Sequence, residues 1–161
     1  MSGENASNMR VVVRDATHAD STFIVDSNAA MALETEQRML DRAVLERGVG
    51  AVFAHPQRGF YLIAQRETHA LGCLLVTREW SDWRNGEWWW LQSVYIVPAG
   101  RRGGVFRALY AEVDHRARIA RDVVGLRLYV EQDNARAQAT YAAMGMVPAC
   151  YRLYERPFAQ E

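Results

Sequence analysis

Two cysteines, four prolines and no net charge leave little room for several kinds of protein among these 161 residues. Cys73 and Cys150 stand far apart with no C-x-x-C pair, and His18, His55, His69 and His115 have no spacing that puts two on one helix face. Free thiols are expected, with neither a disulfide framework nor a metal site. Nineteen basic residues balance nineteen acidic ones, so there is no global basic field to hold nucleic acid or an anionic membrane. No apolar run approaches the length needed to cross a bilayer, and residues 1–8 are polar, without the basic start and apolar run of a signal peptide. The expectation is a cytoplasmic protein with a frayed N-terminus over 1–8 and one domain over 9–161.

What is present is a core-forming chain, half apolar and a quarter charged. The first strand is expected over Met9 to Arg14, followed by a cap from Asp15 or Thr17 and a helix through Phe23, Ile24, Ser27 and Met31. Leu33 to Glu36 reads as a break before a second helix, Arg38 to Arg47, stopped by Gly48. Strands follow at Ala51 to His55, Phe60 to Gln65 and Leu71 to Thr77, then a loop from Glu79 to Gly86 that returns as a strand over Glu87 to Val97. A helix from near Val105 carries Phe106, Leu109, Tyr110, Val113 and Ala117 on one face. Leu126 to Val130 alternates as a strand, Ala135 to about Met144 is a helix ended by Gly145, and Val147 to Tyr154 is the last strand. The order β-α-α-β-β-β-β-α-β-α-β implies an α/β (α+β) fold: a mixed, mostly antiparallel sheet of about seven strands flanked by helices.

One stretch stands out, Gln92 to Tyr110. An apolar strand ends at Pro98, crosses the basic glycine turn Arg101-Arg102-Gly103-Gly104 and enters the helix at Val105, with Arg107 beside it. Backbone N–H groups of such a turn and of a helix start point one way, which suits a phosphate or pyrophosphate.

Here the chain resembles the GNAT superfamily of acetyl-coenzyme A dependent N-acetyltransferases. The turn from Arg101 to Phe106 occupies the place of the family's acetyl-CoA motif, although Phe106 stands where a small residue is usual. The family's second motif, N-x-x-A-x-x-x-Y-x-x-x-G, is matched by Asn134, Ala137, Tyr141 and Gly145. The resemblance implies acetyl-CoA as cofactor. It would be held by Val94, Tyr95 and Ile96 along a splayed strand, by Arg101, Arg102, Gly103, Gly104, Val105, Phe106 and Arg107 at the turn, and by Asn134, Ala137 and Tyr141. It also implies that Tyr141 is the general acid for the leaving thiolate.

A protonated amine needs a base, and Gln92, which takes the place of a glutamate used in polyamine-type members, cannot serve. Glu79 and Asp82 are the candidate bases. Glu34, Glu36, Trp80, Trp83 and Gln92 are candidates for binding a small primary amine, amino-acid-like or polyamine-like, through charge and cation-π contact. Two alternatives stand beside this reading: a catalytically impaired acyl-CoA sensor, and a protein N-terminal or lysine acetyltransferase. The tryptophans and the final strand also leave a homodimer open.

Overall fold

The computed structural model describes residues 10–158 and contains no cis peptide bond among them. Two compact units are distinguished, one ending at Tyr129 and one beginning at Val130.

The first unit opens with β1 (Val12–Asp15). The predicted start of this strand at Met9 lies outside the described residues. A 3-10 turn at His18–Asp20 leads into α1 (Ser21–Glu36). The Asp20 carboxylate organises this entry: it accepts two bonds from the Arg14 guanidinium, both 2.8 Å, and one from the Thr17 N–H at 2.8 Å. The predicted break at Leu33 to Glu36 does not occur. The helix runs through it and stops at Gln37, whose left-handed φ of 51° turns the chain.

The second helix also differs from expectation, running as α2 (Arg42–Ala54). Asp41 sets its start by accepting from the N–H groups of Ala43 and Val44, at 2.8 and 3.2 Å. Gly48 does not end it, and the strand expected at Ala51 to His55 is its last turn. The reason is a stripe, Leu45, Val49, Val52 and Phe53, at helical spacing and packed against the core. Burial of that stripe outweighs the roughly 1 kcal/mol that each interior glycine costs.

Four further strands complete an antiparallel meander and one parallel pair: β2 (Phe60–Arg66), β3 (His69–Ser81), β4 (Gly86–Ile96) and β5 (Val123–Leu128). The sheet has five strands in the order β1-β2-β3-β4-β5, not about seven. Between β4 and β5 the chain crosses over through α3 (Val105–Ile119), which makes this pair parallel. The stretch expected to be a loop from Glu79 is partly strand, since Glu79 pairs with Trp88 and Trp80 with Glu87.

Period-two alternation splits the apolar residues between two faces. Leu62, Ala64, Leu74, Val76, Trp89 and Leu91 meet Leu109, Val113 and Ala117 of α3. Tyr61, Ile63, Cys73, Leu75 and Tyr95 meet Ile24, Val25 and Val49 of the first two helices.

The second unit contains α4 (Ala135–Ala143), capped by the Asn134 side chain on the Ala137 N–H at 3.0 Å. Gly145, at φ 85°, follows it in the left-handed conformation that glycine tolerates. The strand expected over Val147 to Tyr154 does not form. A strand needs a neighbour for its backbone groups, and among the described residues of this unit the regular element is a single helix.

Candidate functional site

The site begins with a fault in the sheet. Cys73 pairs with Tyr95 but Leu75 with Gln92, so β4 spends one residue more than β3 between these rungs. Ser93 absorbs it at φ 48°, a bulge that places Trp88, Trp90, Gln92 and Tyr95 on one face. The parallel pairing with β5 covers only Glu87–Leu91, ending opposite Leu128. From Gln92 to Ile96, including the predicted Val94, Tyr95 and Ile96, β4 has no β5 residue beside it. The pairing stops there because β5 itself ends at Leu128, which leaves that side of Val94, Tyr95 and Ile96 without a β5 partner.

Beyond it the chain forms a 3-10 turn at Pro98–Gly100 and the glycine turn that enters α3. Arg102 and Gly104 both take positive φ, 62° and 74°. Ala108 N–H bonds to Gly104 O at 3.0 Å, closing the first helical turn. A Cβ on Gly104 would meet nothing within 4 Å, so open space lies over the helix start. Arg101, Arg102, Gly103, Gly104 and Arg107 are exposed around it, while Val105 is buried beneath as the anchor. The Phe106 ring lies 6.2 Å from that of Tyr110, one turn further along α3.

Two features of this turn escaped the sequence. Arg66, at the end of β2, donates to Gly103 O at 3.2 Å, and its buried Nε finds no partner among the described residues. A Cβ on Gly103 would come within 2.7 Å of the same guanidinium, the movable end of a flexible side chain. Arg101 turns away from the open space. Its Nε donates to Ile96 O at 3.0 Å, and its Nη2 lies 2.6 Å from Glu34 Oε2. Tyr95 donates its hydroxyl to the other Glu34 oxygen at 2.7 Å. That bond, with Arg101 beside it, holds the Glu34 carboxyl below the usual carboxylate range, and burial with Glu34 nearby pushes the Tyr95 phenol up.

The same sheet face carries a second polar group, nearer the hairpin. Glu79 Oε2 accepts from Trp90 Nε1 at 2.5 Å, and Oε1 from Arg127 at 3.0 Å. Arg127 stacks over the Trp88 ring, 4.1 Å from its centroid, and Tyr129 packs 4.5 Å from Trp90. Gln92 is tied to Thr77 by a bond of 2.5 Å. Alternation explains the split among the tryptophans: Trp89 is buried in the α3 core, while Trp88 and Trp90 line the opposite face. Trp80 and Trp83 are 59% and 89% exposed, and Asp82 accepts from the Trp83 N–H at the hairpin tip. Glu36 is exposed at the end of α1. Arg127 and Tyr129 were missed because nothing in LRLYV marks which side chains meet a strand forty residues earlier.

In the second unit, Ala137 lies in the first turn of α4 and Tyr141 in its last. Burial raises the Tyr141 phenol above its ordinary value, so it holds its proton at neutral pH. Among the described residues no group of His, Cys, Asp and Glu is placed to hold a metal ion, and no helix is long and apolar enough to cross a membrane.

Among curated proteins no significant match is found. Residues 23–146 match the Acetyltransferase (GNAT) family. The crystal structure of a possible acetyltransferase from Clostridium difficile 630 is 35% identical, covering 93% of this chain and 99% of its own, at a TM-score of 0.87. A predicted acetyltransferase from Clostridium acetobutylicum, solved with acetyl-CoA, shares the fold at 14% identity and a TM-score of 0.74, covering 91% of this chain and 96% of its own. So does a ribosomal-protein-alanine N-acetyltransferase from Brucella melitensis biovar Abortus 2308, at 15% and 0.74, covering 93% and 100%. Because the family match runs over most of the chain and the Clostridium difficile structure shares 35% of its residues across 93% of it, this chain belongs to the acetyltransferase (GNAT) family.

Proposed function

We propose that the protein transfers acetyl from acetyl-CoA to a primary amine of a small molecule. The observation that carries this is the run of β4 beyond Leu91 that has no β5 partner, shortly before the glycine turn at the head of α3. The Clostridium acetobutylicum relative, solved with acetyl-CoA, adds the cofactor by likeness of fold.

The residues present fit that cofactor. The open space over Gly104, the exposed Arg102 and Arg107 and the buried unpartnered Arg66 Nε form a cradle for a pyrophosphate. Gly103, Val105 and Phe106 complete its frame. Backbone groups of Val94, Tyr95 and Ile96 take the extended arm. Acetyl-CoA, when bound, supplies an activated thioester, and every other task falls to the chain. Asn134 and Ala137 set the start of α4, which carries Tyr141, and Tyr141 holds a proton at Oη for a departing sulfur.

Glu79 is the base. A primary amine titrates at about 10, so it arrives protonated and a carboxylate must take that proton before attack. Asp82, exposed at the hairpin tip, and Glu36, exposed at the end of α1, serve to attract the amine rather than deprotonate it. Trp80 and Trp83 at the hairpin and Gln92 beside the bulge bound the amine's approach. Glu34, held by Tyr95 and Arg101, lines the opposite end.

The test is mass-spectrometric screening of an amine panel with acetyl-CoA and the full chain. The chain contains no lysine, so acetylation of its own side chains does not obscure the product. Acetylated small amines, with stoichiometric release of CoA thiol, are the expected result. Absence of transfer to every amine, with acetyl-CoA still bound, overturns the reading.

A further inference from the structure

The identity of the amine is narrowed by one ion pair, on the reading above that this face receives a small amine. Glu79 and Arg127 lie 3.0 Å apart, with side chains 45% and 31% exposed. Each is held by aromatic neighbours. Trp90 Nε1 grips Glu79, while the Arg127 guanidinium lies over Trp88 at 4.1 Å and Trp90 at 5.9 Å. Among the described residues, a single Arg127 N–H group is taken by a protein acceptor, out of the five a guanidinium carries. A pair this exposed contributes little to folding, so stability gives no account of why two opposite charges are fixed here.

We propose that the acceptor is a zwitterion, an amine with a carboxylate close to it. Its ammonium sits at Glu79, its carboxylate is read by Arg127, and Arg127 is the specificity-determining residue. The guanidinium fork matches a carboxylate with two parallel N–H bonds, and the stacked Trp88 keeps the fork from rotating. A polyamine fits poorly, because its second cation meets Arg127 within a few ångströms of the acid that holds the first. A lysine within a protein chain has no neighbouring carboxylate to offer. The site is neutral as a pair, as the ligand is, so it recognises charge geometry rather than net charge.

The experiment compares matched amines with the full chain and acetyl-CoA: α-amino acids, their carboxamides, the corresponding decarboxylated amines, putrescine and spermidine. Free amino acids are expected to exceed their carboxamides at least tenfold in kcat/KM, mostly through KM. Arg127→Gln is expected to abolish that preference and Arg127→Lys to keep part of it. Both should bind acetyl-CoA normally by tryptophan fluorescence, which shows that they fold. If Arg127→Gln is unfolded, the wild-type series with Arg127→Lys decides. Equal or better turnover of the carboxamides or diamines, or a preference that survives Arg127→Gln, overturns the inference. Turnover of diamines alone sinks only this inference, whereas turnover of no amine sinks the proposed function with it.

Discussion

Arg101 Nη2 lies 2.6 Å from Glu34 Oε2, so the first arginine of the glycine turn is tied to the last turn of α1. Both side chains are nearly half exposed, and a pair of that kind is worth about 0–1 kcal/mol. Glu34→Gln is therefore expected to leave the melting temperature within a few degrees and to tighten acetyl-CoA binding by less than about fivefold. The freed Arg101 then reaches the anion. Calorimetric titration at two salt concentrations checks this, with the gain shrinking at high salt. Weaker binding would mean that Glu34 shapes the cradle rather than competing for it.

Gly104 and Gly50 both have open space where a Cβ would sit, yet alanine should act oppositely at the two. At Gly104, φ 74° costs an alanine about 1 kcal/mol, and its methyl projects into the cradle. Acetyl-CoA affinity is expected to fall at least about tenfold, a loss of about 1.4 kcal/mol. Gly50 lies inside α2, where alanine stabilises by roughly 0.5–1 kcal/mol. Chemical denaturation and ligand titration of the two variants separate strain from blocked binding.

Tyr141→Phe removes the proposed proton donor. An effect near a hundredfold on kcat is expected, the lower range for acid catalysis, with the KM for acetyl-CoA almost unchanged. The donor works only while protonated, so wild-type kcat falls on the alkaline side. With the phenol raised by burial, that limb lies above the ordinary tyrosine range. The variant should lack it, as a pH profile of single-turnover rates tests.

Cys73 is buried and its thiol pushed up to about 11, whereas Cys150 is exposed. Iodoacetamide at neutral pH should add one adduct per folded chain, at Cys150, and two after unfolding. The raised value also sets an alkaline limit. Because the folded thiol releases its proton later than the unfolded one at about 9, its stabilisation is complete below 9 and is lost as pH rises towards 11. Tyr61, buried beside it and raised from 10.0 to about 12, acts in the same sense over the next interval. The melting temperature should fall steadily across pH 9 to 11.

Some of this was legible from single residues. The stripe Leu109, Val113 and Ala117 marked α3, Gly104 marked its entry, and Asn134 and Gly145 bracketed α4, because caps and 3.6-residue periodicity are local. The end of α2 was not legible: Gly48 is a local stop signal, but Val49 and Phe53 find their core partners on α1 and β2. About seven strands were expected, and five form among the described residues. The last predicted strand lacks a pairing edge within its unit, and Ala51 to His55 was claimed by a helix.

The linear sequence thus determined the chemistry on offer: a basic glycine turn before a helix, an N-x-x-A-x-x-x-Y-x-x-x-G run, and carboxylates among tryptophans. Tertiary structure alone decided which of these meet. Arg66 reaches Gly103 across 37 positions, Arg127 reaches Glu79 across 48, and Arg101 is claimed by Glu34 across 67. Strand register and the bulge at Ser93 choose these pairs, and register is set by which face of every strand the whole core buries.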